Sequence, residues 1–114
     1  MVYGDPAAMA PGVVDRYHEL LQYGRNRDSM VKTFRALRGF NDDPSIARRV
    51  VDVKAPTLIM WGAKDRWVPP SLLDRWRRDL PAAVVQVYPG LGHVAMEERP
   101  EETARDAHRF LSPS

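Results

Sequence analysis

Ala55-Pro56-Thr57-Leu58-Ile59-Met60-Trp61-Gly62-Ala63-Lys64-Asp65 is the stretch that decides how this chain folds. The run from Thr57 to Trp61 is short, continuously apolar and stopped by Gly62, which predicts a strand covered on both faces, as in parallel sheets. Downstream, Leu72, Leu73, Trp76 and Leu80 recur at helical spacing across residues 70–80, and Pro81 ends the pattern. A second apolar run, Val84-Val85-Gln86-Val87-Tyr88, is closed by Pro89-Gly90. Strand, helix and strand in this order make a βαβ unit with parallel strands and a right-handed crossover. A last helix opens at Pro100, with Glu101 and Glu102 where they favour the helix dipole. Its spacing predicts burial of Ala104, Ala107, Phe110 and Leu111. Two strands are too few for a finished sheet, so the pattern also predicts that something else completes it.

Upstream, Val13, Val14, Tyr17, Leu20 and Leu21 form one helical stripe, with Pro11 suited to its first turn and Gly24 to its stop. A second helix is expected from about Asp28 to Gly39, with Met30, Val31, Phe34 and Leu37 on one side. The two helices read as a hairpin whose apolar side, including Tyr17, Leu21 and Phe34, faces either a core or a substrate, the core being the plainer expectation. Asn41-Asp42-Asp43-Pro44 is a turn cluster, followed by one helical turn to about Arg49. The division therefore falls near residue 50, with a helical segment over 1–50 and an α/β segment over 51–114.

The bulk properties exclude several classes of function. The 114 residues carry 17 Lys and Arg against 15 Asp and Glu, for a net charge of only +2. Arg75, Arg77 and Arg78 are bracketed by Asp74 and Asp79, which describes a salt-bridged helix face and argues against nucleic-acid binding. No apolar run approaches the roughly 20 residues that span a bilayer, and the N-terminus lacks the pattern of a secretory signal. These features point to a soluble, cytoplasmic protein without membrane partners. There is no cysteine, hence no disulfide and no thiolate metal site.

In parallel α/β sheets, ligands and catalytic groups gather beyond the carboxyl ends of the strands. Asp65 lies four residues past the first strand and His93 five past the second, in Tyr88-Pro89-Gly90-Leu91-Gly92-His93. Neighbouring strands are ~4.8 Å apart, so loops leaving the same edge can bring the two side chains into contact. A carboxylate on an imidazole N–H fixes the tautomer and leaves the other nitrogen free as a base. The plainer readings are a turn or capping residue for Asp65 and a hydrogen-bonded core histidine for His93. His18 and His108 read as surface residues. A metal held by His93 and Glu97 would have an incomplete shell, so no metal and no cofactor are expected.

Residues 55–69, then Pro89-Gly90-Leu91-Gly92-His93, then Met96-Glu97-Glu98-Arg99-Pro100-Glu101, closely resemble the last two strands of the α/β-hydrolase superfamily. The resemblance implies a partial α/β-hydrolase fold, a C-terminal βαβα unit preceded by cap-like helices. It makes Asp65 the acid and His93 the base of a triad, in the chain order known for that fold. Trp67, Val68 and Met96, which flank the pair, become candidates for binding substrate. Residues 1–50, including Val2-Tyr3-Gly4-Asp5-Pro6 and Gly24-Arg25-Asn26-Arg27, resemble less specifically the tail of the cap that many members place over the active site.

One element of the family pattern is missing. No Gly-x-Ser-x-Gly or Gly-x-Asp-x-Gly elbow occurs, and none of the serines at 29, 45, 71, 112 and 114 sits in a strand-to-helix turn. The sequence therefore predicts a hydrolase acting on a small-molecule substrate only when completed, and no turnover by these residues alone. The alternative is a non-catalytic binding or assembly module that completes its sheet as a homo-oligomer or with a complementing chain.

Overall fold

The computed structural model describes residues 2–41, 45 and 49–112. The sheet forms where the apolar runs are. Strand β1 is Leu58–Gly62 and strand β2 is Val84–Tyr88. They pair in parallel, with Leu58 opposite Val84 and Gly62 opposite Tyr88. The crossover is a single turn at Pro70–Leu72 that runs into helix α3, Leu73–Asp79. Leu73 is its buried residue, and Pro81 follows a cap at Leu80, also buried, whose N–H donates to Trp76 O at 2.8 Å. Beyond β2 come a short helix α4, Ala95–Glu98, and the final helix α5, Pro100–Leu111.

Over residues 54–112, burial departs from the sequence expectation in two places. Strand β1 is half-buried from Leu58 to Trp61, and only Gly62 is fully covered. Among the described residues the sheet has two strands, so each keeps an unpaired edge and neither is shielded by neighbours on both sides. Helix α5 buries Thr103 and half-buries Ala107 and Phe110, while Ala104 is exposed and Leu111 is 75% exposed. The Tyr88 hydroxyl donates to Asp106 Oδ2 at 3.0 Å, which turns the face carrying Thr103, Asp106 and Phe110 towards the sheet. The small core beneath the strand ends consists of Tyr88, Leu91 and Ala95 with Met60 against it.

The chain divides into two compact units, Met1–Met9 with Lys54–Ser114, and Ala10–Val53. Residues 2–9 thus belong with the α/β unit and not with the helical segment in which the sequence places them. The reason is a set of hydrogen bonds: His93 N–H donates to Val2 O at 2.7 Å, and Gly4 N–H donates to the Glu98 carboxylate at 3.0 Å.

The second unit holds helix α1, Val13–Gln22, and helix α2, Asn26–Asn41. Gly24 takes the left-handed conformation, φ +54°, that ends the first helix. Helix α2 starts two residues earlier than its pattern suggests, because Asn26 Nδ2 donates to Leu20 O at 2.8 Å and ties the turn. The apolar stripes are not enclosed. Val14 is 66% exposed, and Tyr17, Leu20, Phe34 and Leu37 are also exposed, with Leu21 half-buried. The helical turn expected over 44–49 lies mostly outside the described residues, and a single turn occupies Arg49–Asp52. No helix among the described residues is long and apolar enough to cross a membrane.

Candidate active site

The loops leaving β1 and β2 are bonded to each other before any side chain takes part. Ala63 N–H donates to Tyr88 O at 2.9 Å, and Lys64 N–H donates to Leu91 O at 2.9 Å. Their backbones touch where Gly62 meets Leu91 and Gly92, so a Cβ at Gly62 would overlap the carbonyls of both. This close approach explains why both loops carry glycine at these points.

The result is a direct bond between Asp65 and His93. His93 Nδ1 lies 2.8 Å from Asp65 Oδ2. The second carboxylate oxygen, Oδ1, accepts from Trp67 N–H at 2.8 Å and Val68 N–H at 2.9 Å. Burial alone would raise the Asp65 carboxyl. The bonds from Val68 N–H, the His93 ring and Trp67 N–H outweigh it and hold the group below its ordinary 3.8. An ionised carboxylate only accepts, so the shared proton sits on His93 Nδ1. Nε2 is left without a hydrogen-bond partner among the described residues, on a side chain that is 35% exposed against 5% for Asp65.

The pair borders a cavity of about 220 Å³ lined by Met60, Trp61, Gly62, Asp65, Val68, His93, Ala95, Met96 and Thr103. Of the flanking candidates, Val68 and Met96 line this cavity. Val68 also accepts from Trp61 Nε1 at 3.2 Å, and Met96 is 62% exposed. Trp67 is 57% exposed and lays its ring over His93, with centroids 5.6 Å apart and planes 37° from parallel. His18 and His108 are exposed. Glu97 accepts from the Tyr3 hydroxyl at 2.8 Å, and among the described residues no three His, Cys, Asp or Glu side chains are grouped to hold a metal ion.

The model of the alpha/beta hydrolase family matches residues 2–107. The chain belongs to the alpha/beta hydrolase family. Among relatives of this alpha/beta hydrolase, Lipase 1 of Psychrobacter immobilis is 35% identical over 66 residues, 58% of this chain and 21% of the lipase. The 2-hydroxy-6-oxononadienedioate/2-hydroxy-6-oxononatrienedioate hydrolase 2 of Pseudomonas putida is 35% identical over 68 residues, 60% of this chain and 24% of that enzyme. A hydrolase with the same substrate name from Klebsiella pneumoniae is 28% identical over 97 residues, covering 85% of this chain and 33% of its own length. The chain thus spans between about a fifth and a third of the length of the curated relatives it matches.

One residue beside the candidate site has no role that the sequence pattern marks out. Glu98 is 5% exposed, and its carboxylate accepts from Gly92 N–H at 2.6 Å, next to His93. The sequence marks it only as a member of the Met96–Glu101 stretch and by its three-residue spacing from Ala95, which sets both on the inner face of α4.

Proposed function

We propose that this chain contributes the acid and base of a hydrolase active site, with His93 as general base and Asp65 holding its tautomer and orientation. The observation that carries the reading is the 2.8 Å contact between His93 Nδ1 and Asp65 Oδ2, made by a carboxylate whose other oxygen is fixed by two backbone N–H groups. Nε2 would take the proton from a hydroxyl nucleophile, or from the water that attacks a covalent ester formed on a carboxylate nucleophile. The Asp65 charge stabilises the imidazolium that results, and the Trp67 ring over the imidazole adds a cation–π attraction to the same charged form. Trp67, Val68 and Met96 form the apolar wall against which a small-molecule substrate rests. The nucleophile comes from residues outside this chain. Similarity to a lipase and to 2-hydroxy-6-oxononadienedioate hydrolases supports hydrolysis, of an ester or a related small-molecule substrate.

The experiment joins the chain to the nucleophile-bearing portion of its own coding frame or of a relative, and assays both forms on a p-nitrophenyl ester. Turnover by the joined protein and none by the 114 residues alone is the expected outcome. Turnover by the short chain alone contradicts the assignment of a missing nucleophile.

A second reading, compatible with the first, is favoured by the exposed apolar stripes of α1 and α2 and by the two unpaired edges of the sheet. The chain assembles with itself or with a complementing chain, burying surfaces that a lone monomer leaves in water. Light scattering of the purified chain is expected to give a dimer or larger species. A monomer that unfolds cooperatively contradicts this second reading.

A further inference from the structure

Glu98 is a buried carboxylate whose bonds to backbone N–H groups close a ring around the catalytic loop. Oε1 accepts from Gly92 N–H at 2.6 Å, and Oε2 accepts from Gly4 N–H at 3.0 Å and from Asp5 N–H at 3.4 Å. His93 N–H in turn donates to Val2 O at 2.7 Å. The loop is thus gripped on both sides of one peptide: at Gly92 by Glu98, and at His93 by a segment that Glu98 itself holds. The packing leaves no slack, since a Cβ on Gly92 would overlap Gly4 N and Val2 O, and one on Gly4 would lie 2.6 Å from Gly90 O.

We propose that Glu98 is a positioning residue for His93, setting the height and tilt of the imidazole over Asp65 through the Gly92 amide and residues 2–5. Each of these backbone partners is a donor, so the site requires a group that accepts at both oxygens, which a carboxylate does and a carboxamide cannot. A carboxylate acceptor also makes these bonds shorter and stronger than neutral ones. The inference rests on His93 being the base and extends that assignment to what holds the base still.

The test uses the 114-residue chain labelled with 15N and 13C. In the native protein, through-hydrogen-bond couplings are expected from the Gly92 and Gly4 amide nitrogens to the Glu98 side-chain carboxyl carbon, together with a protected His93 Nδ1 proton. Glu98→Gln is expected to speed hydrogen exchange at Gly92, His93 and Gly4 by roughly tenfold to a hundredfold, the range for losing bonds to a charged acceptor. It should also weaken the Nδ1 signal and move the Asp65 titration up towards 3.8. The ladder amides of β1 and β2 should exchange as before, which separates positioning from general loss of fold. Glu98→Asp keeps the charge with a shorter reach and should show the same changes in smaller measure; it is the deciding variant if Glu98→Gln does not fold. Missing native couplings overturn the inference, as do an Asp65 titration and a His93 Nδ1 proton indifferent to both substitutions. A native chain with the Glu98 couplings but no protected Nδ1 proton instead contradicts the Asp65–His93 pairing itself, and removes both readings.

Discussion

Replacing Asp65 by Asn is expected to move the His93 proton from Nδ1 to Nε2 while leaving the chain folded. The carboxylate serves three donors: Trp67 N–H, Val68 N–H and His93 Nδ1–H. A carboxamide can keep its oxygen towards the two backbone groups, which forces its NH2 towards His93 and makes Nδ1 an acceptor. No donor is left unpaired; all three bonds lose the charge of their acceptor but remain, so the cost is about 1–2 kcal/mol. Asp65→Ala removes all three acceptor contacts. The Val68 N–H is left unpaired in a half-buried setting, and Trp67 is 57% exposed, where its N–H can turn to water. At roughly 1–3 kcal/mol for an orphaned buried group plus the lost His93 bond, the expected cost is about 2–4 kcal/mol. Denaturant unfolding followed by circular dichroism gives the two costs, and the 15N shifts of the imidazole give the tautomer. Equal destabilisation by Asn and Ala, or an unchanged Nδ1–H tautomer in Asp65→Asn, would rule out this division of roles between the two carboxylate oxygens.

Three further outcomes follow from the same contacts. Because the folded Asp65 carboxyl lies below its ordinary 3.8, its stabilising contribution is present above that value and disappears as the pH falls through the folded value; the gap in unfolding free energy between native and Asp65→Asn chains should close on acidification. Tyr88 is raised to about 12, by burial first and then by its bond to Asp106, so the hydroxyl remains neutral through ordinary alkaline pH. That contribution is complete below the ordinary 10.0 and is lost as the pH rises towards 12, which phenolate absorbance alongside circular dichroism will follow, and Tyr88→Phe should abolish the late phenolate step. Gly62→Ala drives a methyl into the Leu91 and Gly92 carbonyls and should cost about 1–3 kcal/mol or more in thermal unfolding, whereas Gly90→Ala, with open space around its Cβ, should cost far less.

The parts of this molecule written in side-chain pattern are legible in the sequence, and those written in backbone contact are not. Strand β2 has the bounds its apolar run suggests, and β1 is shifted by one residue to include Gly62. The contact of Asp65 with His93 follows from strand spacing and loop length, both of which the sequence displays. By contrast, Glu97 and Glu98 are adjacent and chemically alike, yet Glu98 faces the Gly92 amide and Glu97 faces Tyr3. Only the rotation of the four-residue helix α4 distinguishes them. Residues 2–5 join the α/β unit mainly through their own main-chain groups, and of their side chains only Tyr3, buried and bonded to Glu97, takes part, which a lone tyrosine in the sequence does not announce. Periodicity misplaces the inner face of α5 because the Tyr88–Asp106 bond, spanning 18 residues of sequence, brings a charged position inward where the apolar pattern points to Ala104 and Leu111.

The proposed role of His93 as base is tested most directly by kcat/KM for a p-nitrophenyl ester with the chain joined to a nucleophile-bearing portion of a relative, comparing His93→Ala with the exposed control His18→Ala. A loss on the order of 10³-fold or greater is expected for His93→Ala, as for removal of a catalytic base, and no change for His18→Ala. Undiminished turnover by His93→Ala would contradict the assignment of His93 as the base.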